Sequence, residues 1–67
     1  MRDPNRIEPL LKAMKELWIL VPDWRLGQLV SNLARATNVN DPFFVEDDKM
    51  MEAISLMKAA LSDRAAQ

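Results

Sequence analysis

Trp24, Arg25, Gln28 and Asn32 are the residues in this chain whose types and spacing best suit chemistry. Steps of three and four bring Arg25, Gln28 and Asn32 onto one face of a helix, and Arg35 joins them there. Arg25 and Arg35 carry planar guanidinium forks suited to phosphate or carboxylate. Gln28 and Asn32 offer donors and acceptors side by side, as a base edge or a ribose requires. Arg25 falls in the first turn of the expected helix, where free backbone N–H groups and the helix dipole favour an anion. Trp24 beside it supplies a stacking face, and Arg2 or Arg6 are further candidates. The set points to a small anionic, nucleotide-like ligand. A plain solvated helix face explains the same residues without a ligand, so both readings stand.

Other chemistry finds little support. The chain has no histidine and no cysteine. It therefore lacks the usual general base near neutral pH, the commonest metal ligand, and any disulfide or thiolate site. No glycine-rich phosphate loop is present, and Ser31 and Ser55 have no base at useful spacing. These absences suggest a non-enzyme with no catalytic residues, no cofactor and no metal. Asp41, Glu46, Asp47 and Asp48 cluster in DPFFVEDD, but Phe43 and Val45 take ligand positions of a calcium loop and Glu46 stands where glycine is needed. Helix capping is the better account of Asp47 and Asp48.

Three helices must position these residues. Ile7, Leu10, Leu11, Met14, Leu17, Trp18 and Val21 recur with helical period. Asp3-Pro4 starts a short turn over 4–7, and Pro9 delays a regular helix to about 8–20. Pro22 ends it, and Asp23 caps a second helix over about 24–36. Leu26, Leu29, Val30 and Leu33 form its inner stripe. TNVND then breaks the chain, and Asp41-Pro42 opens an extended loop through Phe43 and Phe44. Those two rings are expected as a core plug beneath the loop. A third helix follows over about 48–62 with Asp47 as cap. Met50, Ile54, Met57 and Leu61 face inward, and Met51 and Leu56 widen that stripe. Residues 62–67 are expected to fray. The whole is one all-α domain over 1–67, a small three-helix bundle.

A chain of 67 residues, 49% hydrophobic and without disulfides, often gains stability by self-association. Gly27, Ser31 and Ala34 make a small-residue strip where another helix could approach closely, either within the chain or between subunits. Ile19 and Leu20 fall off the main stripe and prolong an LWILV patch, as a subunit interface would. Ile19, Leu20, Gly27 and Ser31 are thus the candidate oligomer contacts. Net charge is −1, so nucleic acid is not an expected partner. No run is long enough for a membrane span, and MRDPNRIEP lacks a signal-peptide core, so a cytoplasmic location is expected.

MRDPNRI, LW, PDWRLGQLVSN and DPFFVEDD together resemble a family of small proteins carried by bacteria and their phages, over nearly the whole chain. The order of elements is also distantly similar to the YihD family, which shares an Arg-Leu start, a Trp before Pro-Asp, and a later Asp-Asp. Neither resemblance supplies functional residues; the first implies a small accessory protein, often of a phage or prophage. Such proteins bind host proteins or sequester nucleotide signals of antiviral defence. The reading is a homo-oligomeric binder of an anionic nucleotide-like ligand. The alternatives are a module that inhibits or recruits a host protein and, less favoured by charge, a helix-turn-helix DNA binder.

Overall fold

The computed structural model describes residues 2–66. Pro4–Arg6 form a 3-10 turn, capped by Asp3, whose carboxylate accepts from the Asn5 N–H at 2.9 Å. Helix α1 runs Ile7–Leu20, α2 Leu26–Ala36 and α3 Asp47–Ala66, with a second 3-10 turn at Pro42–Phe44 before α3. Pro9 becomes harmless because it lies in the first turn of α1, where a missing N–H breaks no helical hydrogen bond. The molecule is all-α, as the periodicity predicts.

The helix ends correct several expectations. Asp23 does not cap α2. The helix begins two residues later than expected, at Leu26, with Arg25 as the extended residue before it. Gln28 supplies the cap, its Oε1 accepting the Arg25 N–H at 2.8 Å. At the other end, Asn38 takes the left-handed conformation, φ 66°. Its N–H donates to the Arg35 carbonyl and the Val39 N–H to the Ala34 carbonyl, which closes a Schellman turn. Asp47 is the first residue of α3 rather than its cap, and it pairs with Arg6 at 2.6 Å. α3 also continues to Ala66 instead of fraying from 62, since its last turns are rich in alanine. Met1 and Gln67 lie outside the described residues.

α3 packs against both α1 and α2, whereas the α1 and α2 backbones approach each other little. Leu17 from α1, Leu29 and Leu33 from α2, and Ala53 and Ile54 from α3 form the core. Met14, Trp18, Trp24, Met50, Met57 and Leu61 pack against it. Four positions of the expected stripes point outward: Ile7 and Leu11 on α1, Leu26 on α2 and Leu56 on α3. Leu26 is exposed because it opens α2 beyond the core's edge, while Ala34 is buried in its stead. Leu56 is exposed at 65% because two residues, or about 200° of helix, separate it from Ile54. Ala53 occupies the inner face instead. Met51 is half-buried.

The aromatic plug is also overturned. Phe43 and Phe44 are 85% and 68% exposed. Asp41 caps their turn by accepting the Phe43 N–H at 3.0 Å, and the half-buried Pro42 and Val45 anchor it. The loop is therefore a 3-10 turn between extended residues Asp41 and Val45, and its two rings stand outward edge to face, 5.0 Å apart.

Three ion pairs bind the helices at their rims. Arg2 meets Glu46 at 3.2 Å and Arg6 meets Asp47, fastening the N-terminal turn to the start of α3. Lys58 on α3 donates to Glu16 on α1 at 2.5 Å. That hydrogen bond, then the Lys58 charge, holds the Glu16 carboxyl below its ordinary value of 4.5, with a smaller pull from Lys12. A carboxyl depressed by folding contributes stability above its unfolded pKa, and that contribution is lost as pH falls through the lower folded value. Glu16→Gln should therefore flatten the loss of stability below pH 4.5, measured by urea unfolding across an acid series. An acid limb identical to wild type would show that this exposed pair contributes nothing.

The surface is large for the chain. The molecule extends 44 × 25 × 19 Å and exposes 5268 Å², where a compact monomer of 7.7 kDa exposes about 4300 Å². Among the described residues, no helix is long and apolar enough to cross a membrane.

Candidate functional site

The loop between α1 and α2 sets the site. The Val21 N–H donates to the Trp18 carbonyl at 3.0 Å, and the Trp24 N–H donates to the Val21 carbonyl at 3.1 Å. The Trp18 indole Nε1 then donates to the Trp24 carbonyl at 2.8 Å. These three bonds fold residues 21–25 into a tight corner and seat Trp24 at the head of α2, half-buried against the core.

From that corner, an open trough of about 320 Å³ runs along the outer side of α2. Trp24, Gly27, Gln28, Ser31, Asn32 and Arg35 line it. The structure therefore brings together Trp24, Gln28 and Asn32 of the sequence-predicted set. Arg25 is exposed on the same end of the helix but does not line the trough. Arg2 and Arg6 lie elsewhere, held by Glu46 and Asp47. Arg35 is the wall residue that replaces them, and its place on the helical face was legible in the spacing.

The hydrogen bonds decide what this face can offer. The cap commits the Gln28 carbonyl oxygen to the Arg25 N–H. The Asn32 Oδ1 accepts from the Arg35 guanidinium. Both amides are thereby oriented, since a backbone N–H and a guanidinium can only donate. Their acceptor ends are engaged and their NH₂ ends remain, beside the other N–H groups of Arg35. The trough thus presents mainly donors beside a tryptophan, with the Ser31 hydroxyl able to donate or accept, a surface better suited to an anion than to a cation. Among the described residues, no group of three or more acidic side chains is placed to hold a metal ion.

The small-residue strip divides. Ala34 is buried, whereas Gly27 and Ser31 are exposed on the trough floor. A Cβ added at Gly27 would meet nothing within 4 Å, so no helix of this chain packs there. Packing of Gly27 on α1 or α3 is thereby ruled out. Gly27→Ala should stabilise the fold by about 0.5–1 kcal/mol, read as a higher thermal midpoint. Self-association should not change; if it weakens, a second copy of the chain approaches that strip closely. Ile19, at 62%, and Leu20 are exposed on α1, as the off-stripe spacing predicts.

No family model, no curated protein and no solved structure matches the chain.

Proposed function

We propose that the chain is a non-enzymatic, homo-oligomeric binding protein whose α2 face holds a small anionic, nucleotide-like ligand. The observation that carries this reading is the donor-rich trough headed by Trp24 and walled by Gln28, Asn32 and Arg35. The guanidinium and the two amides would take phosphate oxygens, and the indole would stack on a base. Sequestration of a nucleotide signal by a phage accessory protein is the concrete form of the proposal.

Calorimetric titration with cyclic dinucleotides and with ADP-ribose tests it. Saturable heat is expected with one of them, weakened about tenfold or more in Arg35→Ala, since a hydrogen bond to a charged group contributes about 1.5–3 kcal/mol. No heat across that panel would sink the ligand reading.

A second reading is supported by a different observation. Ile19, Leu20, Leu26, Phe43 and Phe44 are exposed apolar side chains in a very small chain. A surface of this kind fits a module that blocks or recruits a host protein. A protein that assembles only with itself and recovers no partner from host lysate would count against it.

A further inference from the structure

We infer that copies of this chain join through one contact, in which the Phe43–Phe44 knob of one copy seats in an apolar, lysine-edged trough on α1 of the next. The inference rests on the self-association proposed above and names the surfaces that carry it.

The knob is built to project. Its turn is capped by Asp41 and anchored by Pro42 and Val45, and the two rings stand edge to face in solvent. Exposed aromatic pairs lose little conformational freedom on docking and are the side chains that dominate protein interfaces. The receptor lies on the outer side of α1. Two adjoining hollows share Lys15, one of about 690 Å³ flanked by Pro9, Leu11 and Lys12, the other of about 230 Å³ flanked by Trp18, Ile19 and Pro22. Together they follow residues 8–22, about 20 Å of helix at its usual rise. Their floor is apolar because the outer side of α1 faces away from the core, which leaves Leu11 and Ile19 exposed.

Charge matches the two surfaces. Asp41, Glu46, Asp47 and Asp48 flank the knob in sequence; Arg2 and Arg6 neutralise Glu46 and Asp47, which leaves Asp41 and Asp48 without a salt bridge among the described residues. Lys12 and Lys15 edge the trough beside Glu8.

Sedimentation velocity on the full chain tests the contact. Wild type should self-associate. Phe43→Ser/Phe44→Ser and Lys12→Glu/Lys15→Glu should each weaken association about 30-fold or more, with unchanged helical circular dichroism, because all four residues are exposed. Mixing the two variants should restore one-to-one pairing, since each retains the surface the other lacks. A wild type that stays monomeric at every concentration overturns both this contact and self-association, while leaving the ligand titration to stand by itself. Association that persists in both variants overturns the contact alone. Failure of the mixed variants to pair does the same.

Discussion

Leu33→Ala is expected to remove a third or more of the fold's stability. A domain of 67 residues has about 3–10 kcal/mol of stability in total. Among the described residues, Leu33 is one of four large side chains with essentially no exposed surface, alongside Leu17, Leu29 and Ile54. It lies where all three helices contribute to one cluster, so neighbouring residues cannot collapse into the space without moving a helix. Truncating such a leucine costs about 3–5 kcal/mol, the transfer term plus the cavity left behind. That is a third of the upper stability bound and all of the lower one. Leu56→Ala makes the same chemical change at a position exposed on the opposite side of α3, and it should fall within about 0.5 kcal/mol of wild type. Urea unfolding followed by circular dichroism compares the two directly. Near-equal midpoints would mean that the cluster around Leu33 is not the core.

The difference between those two leucines shows how far the sequence could be read. Period alone locates all three helices, and Leu17, Leu29, Leu33 and Ile54 are all found by it, because a fully apolar position recurring every three or four residues has one inward direction. It fails where burial depends on the neighbouring helix. Leu26 belongs to the right stripe of α2 but stands at the helix end, past the reach of α3. Ala34 carries too little hydrophobicity to signal its burial, yet it has no exposed surface. The caps misled for a local reason: Asp23 has the preferred cap chemistry, but the corner made by Val21, Trp24 and the Trp18 indole delays the helix until Arg25, where Gln28 can reach back. Phe43 and Phe44 misled through hydrophobicity, since an aromatic pair in a short chain reads as core. Asp41 and Pro42 set the turn that turns both rings outward, and that geometry lies in the backbone rather than in the residue types.

The candidate site was legible to a similar depth. Helical spacing places Gln28, Asn32 and Arg35 on one face, and Trp24 at its head. It does not say which way each amide points. Only the cap on Arg25 and the Asn32–Arg35 bond convert a mixed donor and acceptor face into one that mainly donates. The same bonds give Gln28 a structural task, so its substitution would loosen α2 as well as change the face. Arg35 is therefore the cleaner probe of ligand binding.

Trp18→Phe carries the second large effect, and it bears on fold and site together. Phenylalanine keeps an aromatic ring against the core but removes the indole N–H that holds the Trp24 carbonyl. The loss is expected to cost about 1–3 kcal/mol, the penalty of an unpaired buried acceptor together with the lost bond. Trp18 is half-buried, so water can reach part of the way and the lower half of that range applies. A change of about 1–2 kcal/mol in a domain this small lowers the thermal midpoint by roughly 4–16 °C. The variant leaves Trp24 as the single tryptophan, which makes its fluorescence a local report on the corner. Emission should shift to the red, because the segment between α1 and α2 keeps only its two backbone turns. Any anion bound in the trough should weaken in step, since Trp24 heads it. An unshifted midpoint with unchanged emission would mean that those backbone turns alone fix Trp24, and that the indole bond observed between the tryptophans adds nothing to the site.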